Sequence, residues 1–196
     1  VGDNPGGGGV EDRTELLAAL LESDVRPAEG GVAVVWDPDS VAACVEAGVG
    51  ERVTLSLGHH VEDPYFPGDP LTVAGRVKAL TDGEFTNHGP KETGVRQHLG
   101  RTARLDCDGI DVLVTENRYS PNDAEVWRHV GLPPERADLL VLKTVNHFRA
   151  DYEPLASEIV LVDTPGSFAI DLSRFEYERL QAPRYPLADD VDYPDW

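Results

Sequence analysis

The stretch of sequence richest in reactive groups follows a short apolar run. Residues 139–142 are all aliphatic, and Lys143, His147 and Arg149 come directly after them. Ligands of open α/β sheets bind at the carboxyl ends of the strands. Lysine and arginine would supply fixed positive charge there, and histidine a group that titrates near neutrality. The three residues are therefore candidate catalytic groups for an anionic substrate or intermediate. The alternative is that the two cations pair with surface carboxylates and that His147 caps a helix.

A candidate substrate-binding segment lies at the amino terminus, in Asp3-Asn4-Pro5-Gly6-Gly7-Gly8-Gly9. Glycine has no Cβ, so the backbone N–H groups of such a run can approach a ligand closely. A helix predicted over residues 11–22 would add the positive end of its dipole. The pattern predicts an anion-binding turn, although the Gly-Lys-Ser/Thr ending of a P-loop is missing. A flexible linker is the other interpretation of the same glycines.

Two further positions carry groups that could bind a ligand. Arg118 follows a predicted strand, as Lys143 does, and is a candidate substrate-binding cation. Pairing with Asp123 is its structural alternative. The adjacent His59 and His60 point to opposite faces of an extended chain and make a poor chelate, so we interpret them as solvated loop residues. No Cys/His spacing in the sequence is typical of a zinc module, and we assign no metal ligand to this chain.

Hydrophobic patterning predicts the elements that position these groups. Apolar runs predict buried strands at residues 31–36, 139–143 and 158–162. A capped helix is predicted over residues 41–47. Asp-Gly pairs between alternating segments predict hairpins at Asp82-Gly83 and Asp108-Gly109. Together these patterns predict an α/β fold, with a mainly parallel sheet, flanking helices and an antiparallel β-hairpin region in the middle of the chain.

Composition limits the partners of the chain. It contains 36 acidic and 17 basic residues, a net charge of −19. Because phosphates would be repelled, we expect neither nucleic acid nor a membrane as a partner. The sequence shows no signal-peptide pattern and has only two cysteines, which indicates a cytoplasmic location. Its length suits one domain, expected over residues 1–187 and followed by an acidic tail at 188–196.

Two signatures together resemble one known family. These are Gly2-Asp3-Asn4-Pro5-Gly6-Gly7-Gly8 and Lys143-Thr144-Val145-Asn146-His147-Phe148-Arg149-Ala150. In their order, and with Thr164-Pro165-Gly166 after them, they are similar to the C-terminal domain of the MlrC-type (microcystinase C-like) zinc metallopeptidases. The resemblance runs from Val1 to about Leu187. It departs from the family at His59 and His60, where the family usually shows a glycine and a lysine.

The resemblance implies a zinc-dependent hydrolase of amide or peptide bonds. It implies that the zinc ligands belong to an N-terminal domain of the same protein, and that this chain lines the substrate cleft with Asp3, Asn4, the glycines, Lys143, His147 and Arg149. The expected partners are that domain and a small peptide or amide. Since position 1 is not methionine, we expect a piece of a longer protein, inactive alone, or a product with an unusual start. The alternative function is a non-catalytic module that binds a small anionic ligand.

The acidic, lysine-poor composition generates a first prediction. We expect the protein to come from a salt-rich cytoplasm, as in a halophile, and its melting temperature to fall when salt is removed. The reason is that the Debye length is only about 3 Å at 1 M salt, so that salt screens the repulsion between carboxylates. Thermal unfolding followed at molar and millimolar salt checks this, and an unchanged melting temperature would contradict it.

Overall fold

A six-stranded sheet is the framework of the protein, which a computed structural model describes for residues 2–63, 65–168, 171–180, 184–188 and 191. The strands are β1 (Gly30–Trp36), β2 (Arg52–Leu57), β3 (Leu71–Thr81), β4 (Glu84–Thr86), β5 (Arg96–His98), β6 (Thr102–Cys107), β7 (Ile110–Thr115) and β8 (Leu139–Leu142). The α-helices are α1 (Glu15–Glu22), α2 (Pro38–Ala47), α3 (Glu125–Arg128) and α4 (Arg149–Tyr152). Short 3₁₀ helices lie at Pro5–Gly7, Pro134–Arg136 and Leu172–Arg174.

The strand order of the sheet is β2-β3-β6-β7-β1-β8, and β4 and β5 form a separate pair. β1 is parallel to its neighbours β7 and β8, whereas the pairs β7–β6, β6–β3 and β3–β2 are antiparallel. β3 consequently points the same way as β1, β7 and β8, so four of the six strands share one direction. The predicted α/β fold is confirmed, with antiparallel strands from the middle of the chain and helices flanking the sheet.

The two predicted Asp-Gly hairpins had different outcomes. Asp108 and Gly109 connect β6 to β7 with φ of 53° and 85°, the positive values that a two-residue hairpin turn requires. The prediction of a hairpin at Asp82-Gly83 is wrong. β3 pairs with β2 over residues 71–76 and with β6 over residues 76–81, and β4 pairs with β5 instead of folding back on β3.

Two elements near the ends of the chain also differ from prediction. Residues 158–162 form no strand, and Val160 is 69% and Leu161 54% exposed. Their apolar character therefore does not reflect burial within this chain. α1 begins at Glu15 instead of near Glu11, because Glu11 has a φ of 70°, which no right-handed helix accommodates.

The sheet buries two apolar clusters, one on each face. Successive residues of β7 alternate between them, with Val112 and Val114 in one cluster and Leu113 in the other, as the pleat of a strand requires. The first cluster packs the sheet against α1 and α2, and the second packs it against α3 and α4. All six residues of β7 are buried, which makes the carboxyl ends of β7, β1 and β8 a rigid base for the loops beyond them.

The acidic tail expected at residues 188–196 lies almost wholly outside the described residues. Within the described part of the chain, no helix combines the length and apolar character needed to cross a bilayer.

The central position of β7 generates a second prediction. Leu113→Ala should lower the free energy of unfolding by about 2–5 kcal/mol, because it leaves a cavity at a fully buried site. Urea denaturation measures the loss. The matched control is Leu161→Ala, whose side chain is largely exposed and which should change stability by less than about 0.5 kcal/mol. Similar losses in the two variants would contradict the burial pattern.

Candidate functional site

A buried ion pair joins the amino-terminal segment to the end of β8. Lys143 Nζ lies 2.8 Å from Asp3 Oδ2, and the two side chains are 10% and 5% exposed. The ammonium also donates to the carbonyl oxygens of Glu11 and Arg13, at 3.0 and 2.6 Å. Asp3 accepts from the backbone N–H groups of the same two residues, at 2.6 and 2.8 Å. An ammonium has three donors, and the three hydrogen bonds to Asp3 and the two carbonyls use all three donors of Lys143. The predicted catalytic Lys143 and the predicted substrate-binding Asp3 therefore bind each other and the backbone.

The glycine run, which we predicted to be an anion-binding turn, folds into a turn whose N–H groups bond within the turn itself. Asn4 caps the 3₁₀ helix Pro5–Gly7, its Oδ1 accepting from the N–H of Gly6 at 3.0 Å. The N–H groups of Gly7, Gly8 and Gly9 donate to Asn4 O, Pro5 O and Asn4 O at 3.0, 3.2 and 2.8 Å. All four glycine donors are therefore satisfied inside the turn. α1 begins only at Glu15, so its dipole does not reach the turn either.

Close packing explains why glycine is needed in this segment. A Cβ on Gly7 would stand 2.3 Å from the ring of Phe168, and one on Gly9 would stand 2.6 Å from the backbone of Asn4. Any side chain at these two positions would displace its neighbours, so close packing accounts for glycine at Gly7 and Gly9.

Sequence reasoning missed a buried carboxyl beside the ion pair. Glu11 is fully buried; its Oε2 accepts from Tyr119 N at 2.7 Å, and its Oε1 has no hydrogen-bond partner among the described residues. Burial raises the pKa of Glu11 well above its usual value, against the smaller lowering effects of the Tyr119 N–H and the charge of Lys143. The structure therefore favours the protonated acid. The sequence signal was hidden because a Glu ahead of a leucine stripe is typical of the first turn of a helix.

His59 is part of a buried polar cluster, so its interpretation as a solvated residue is wrong. Its side chain is 4% exposed, and its Nδ1 lies 3.1 Å from Arg13 Nη1. The Arg13 guanidinium also approaches Asp63, with Nη2 to Oδ2 at 3.3 Å. The end of β2 is drawn into this cluster because His59 N donates to Asp12 O at 2.9 Å. His60 is 30% exposed and lies 2.9 Å from Asp37 Oδ1.

Three of the predicted site residues, Arg118, His147 and Arg149, remain accessible to solvent. The guanidinium of exposed Arg118 stacks 4.3 Å from the centre of the Trp36 ring, and this stacking replaces the pairing with Asp123 that we considered. His147 is exposed. Arg149 is 38% exposed and lies 3.5 Å from Glu153, one helical turn on.

A chain of side-chain hydrogen bonds connects the end of β8 to the neighbourhood of the glycine turn. Thr144 Oγ1 donates to Asn122 Oδ1 at 2.8 Å, and Asn122 Nδ2 donates to Ser120 Oγ at 3.0 Å. Ser120 Oγ lies 3.3 Å from the point where a Cβ on Gly6 would stand. The amino-terminal segment, the loop after β7 and the loop after β8 therefore meet at one end of the sheet.

The donor chemistry of this end does not fit a resident metal ion. No group of three or more His, Cys, Asp and Glu side chains within the described ranges could hold one. Two of the buried carboxylates already have partners: Asp3 is bound by Lys143 and two N–H groups, and Asp37 accepts from Ser40 N and Gly58 N at 2.8 and 2.9 Å.

Fold and site together define an α/β domain in which three loops converge beyond the sheet and present cations to solvent. Residues 1–179 match the family described as "MlrC C-terminus". The chain belongs to this family.

Two relatives extend the comparison. The chain is 27% identical over 185 residues to "Microcystinase C" of Sphingomonas sp, an alignment that covers 94% of this chain and 34% of that protein. It also resembles a crystal structure described as "Putative metallopeptidase" from Mesorhizobium sp. BNC1, with a TM-score of 0.83 and 30% identity over 98% of this chain and 37% of that chain. The chain thus spans about a third of the length of these relatives.

The buried ion pair generates a third prediction. Lys143→Met should lower the free energy of unfolding by about 3–5 kcal/mol, because it leaves the Asp3 carboxylate buried without its counter-charge. Urea denaturation measures the loss. In the control Lys91→Met, the altered lysine pairs with Glu92 at the surface, and we expect a loss of at most about 1 kcal/mol. Equal losses of unfolding free energy in the two variants would show that the Lys143–Asp3 pair stabilises the protein no more than a surface pair does.

Glu11 generates a fourth prediction, on pH dependence. Its unfolded-state pKa is about 4.3, and its folded-state pKa is raised. The stability that the native protein gains from holding this proton is therefore full below about pH 4.3 and is lost as the pH rises through the folded pKa. Glu11→Gln removes this dependence, so the variant should gain stability relative to the native protein as the pH rises.

Urea denaturation at a series of pH values measures that difference. Glu46→Gln, at an exposed position of α2, is the control and should follow the native protein at every pH. A Glu11→Gln difference that stays constant with pH would contradict the raised pKa.

Proposed function

We propose that this chain forms the C-terminal, substrate-facing part of a zinc-dependent amide or peptide hydrolase of the MlrC type, and that an N-terminal domain of the same protein holds the zinc. Support comes from membership of the MlrC C-terminal family and from the likeness to a protein described as a metallopeptidase. The observation that carries the proposal is the exposure to solvent of the side chains of Arg118, His147 and Arg149 in the segments that follow β7 and β8.

In such an enzyme a zinc ion with an open coordination position would activate water and polarise the scissile carbonyl. This chain would supply the surrounding charge. Arg118, held against Trp36, can orient a carboxylate or carbonyl of a small peptide. Arg149 and His147 can donate hydrogen bonds to oxygen atoms that become negative during the reaction.

Lys143 takes a different role in this scheme from Arg149. Its donors are engaged with Asp3 and two backbone carbonyls, so it positions the amino-terminal segment instead of touching substrate. Asp3 and Asn4 act in the same way, and Gly6, Gly7, Gly8 and Gly9 shape the wall of the cleft without donating to the substrate.

We further propose a reducing, salt-rich cytoplasm as the setting of the protein. The net charge of −19 supports the salt-rich part. The free cysteines Cys44 and Cys107 support the reducing part. Burial raises the pKa of their thiols to about 11 and about 12, so both are inert.

The second candidate function is a module that binds a small anion without catalysis. It is favoured by the accessible guanidinium of Arg118 on its Trp36 platform, which is a suitable site for phosphate or carboxylate. Substitution of one of the arginines distinguishes the two functions, because only the hydrolase predicts that the turnover of a peptide changes.

The fifth prediction tests the hydrolase. In the longer, zinc-loaded protein, Arg149→Ala should lower kcat/KM for a linear peptide about 10²–10³-fold, the usual effect of removing one donor to a developing negative charge. The control is Arg136→Ala. Arg136 is 72% exposed, pairs with Glu29 and precedes β8 instead of following it, so turnover should stay within about twofold.

Unchanged turnover in Arg149→Ala would remove this residue from the mechanism. If the Arg118→Ala and Arg149→Ala variants both kept full turnover while losing affinity for inorganic phosphate in a calorimetric titration, the anion-binding module would be the better description.

A further inference from the structure

An apolar groove of about 420 Å³ runs along β8. β8 lines one part of the groove, and segment 158–162 lines another; these two segments are called its walls. Leu16 and Leu20 of α1 also line the groove, as do Phe148 and Tyr152 from the region of α4. Since α1 and α4 belong to the apolar clusters on opposite faces of the sheet, residues from both faces border the groove.

The walls of this groove are apolar and incompletely buried. β8 is the terminal strand of the sheet, and each of its four residues is only half-buried. Across the groove, Val160 is 69% and Leu161 54% exposed. An uncharged edge strand facing exposed aliphatic residues is a template for pairing with another strand, and it is unusual in a chain with 27% charged residues.

The amino-terminal segment enters the protein between the ends of the two walls. Gly2 N donates to Thr164 Oγ1 at 3.1 Å, and Phe168 N donates to Gly2 O at 3.1 Å, so Gly2 sits against the continuation of the 158–162 wall. Asp3, one residue later, is bound to Lys143, which follows β8. Residues that precede Gly2 in the polypeptide would therefore approach it between β8 and segment 158–162.

We propose that the groove receives a β-strand of the longer polypeptide, formed by the residues that lead into Val1, so that the sheet continues from β8 through this strand to segment 158–162. The proposal rests on the proposed function, in which this chain is the C-terminal part of a larger protein. The relatives have the necessary polypeptide, because this chain covers only 34% and 37% of their lengths.

The geometry also sets the direction and chemistry of the inserted strand. It leads toward Gly2 and Asp3, which lie level with the carboxyl end of β8, and so it runs parallel to β8. Because both faces of the groove are covered by side chains, the inserted strand is apolar on both faces, as strands inside parallel sheets are. A strand attached covalently at Gly2 has a high effective concentration at the groove, an advantage that a second copy of the chain lacks.

Disulfide trapping in the longer protein tests this arrangement. A cysteine replacing Leu140 is combined with a single cysteine at each of the six positions that precede Val1, with buried Cys44 and Cys107 left in place. Adjacent strands lie about 4.8 Å apart, within the Cα separations that a disulfide bridges. We expect an intrachain disulfide at one or two of the six positions. The control Val49→Cys, in the exposed turn after α2, should trap none of them.

Hydrogen exchange gives a second reading without any substitution. The amides of residues 139–142 and 158–162 should exchange at least tenfold more slowly in the longer protein than in the chain of residues 1–196. Failure of every cysteine position to trap Leu140→Cys would overturn the proposal. So would disulfides that form only between molecules, or protection in the 196-residue chain that disappears on dilution, since both identify a second copy as the occupant.

Neither experiment involves zinc or peptide cleavage. If the longer protein forms the expected disulfides but hydrolyses no peptide, the inserted strand is supported and the hydrolase function is refuted. If it hydrolyses peptides but forms none of the disulfides, the hydrolase function is supported and the inserted strand is refuted.

Discussion

The structure depends on the burial of the Lys143 ammonium against the Asp3 carboxylate. Burying two charges is costly, and their attraction repays the cost only when the geometry is good and the remaining donors and acceptors are also satisfied. Here the condition is met, since Lys143 binds two carbonyls in addition to Asp3, and Asp3 binds two N–H groups. Removing either charge therefore leaves several buried polar groups unpaired.

This pair determines the conformation of the whole amino-terminal segment. Residues 11–13 are held in a non-helical loop because the backbone N–H groups of Glu11 and Arg13 donate to Asp3 and their carbonyl oxygens accept from Lys143. Glu11 O also accepts from Trp36 N at 2.9 Å, which connects the loop to the end of β1. The glycine turn is consequently pressed onto the sheet, and its N–H groups are satisfied within the turn.

The same constraint divides the basic residues of the site into two groups. Lys143 and Arg13 are buried and hold elements together, whereas Arg118, His147 and Arg149 reach solvent at the end of the sheet. Arg118 and Arg149 thus keep their guanidinium groups accessible at this end of the sheet. That property suits the proposed role of facing a substrate whose reacting bond is activated by a metal held elsewhere in a longer MlrC-type protein.

Local sequence patterns predicted the elements whose conformation is decided by neighbouring residues. β1, β8, α2 and the Asp108-Gly109 turn follow directly from apolar runs, capping residues and turn chemistry. The remaining features depend on distant contacts. Asp82-Gly83 has a hairpin sequence, but β3 takes β6 as its partner there and β4 takes β5. Residues 158–162 have the composition of a buried strand, yet within this chain they line a groove. The approach of Lys143 to Asp3 joins positions 140 residues apart, and no local pattern reveals it.

The most direct test of this account is a double-mutant cycle on the buried pair, with Asp3→Asn, Lys143→Met and the double variant compared by urea denaturation. The account predicts that the double variant is more stable than the sum of the single losses implies, by about 1.5–3 kcal/mol. If the two losses add to within about 0.5 kcal/mol, the residues act independently, and the ion pair does not hold the amino-terminal segment to the sheet.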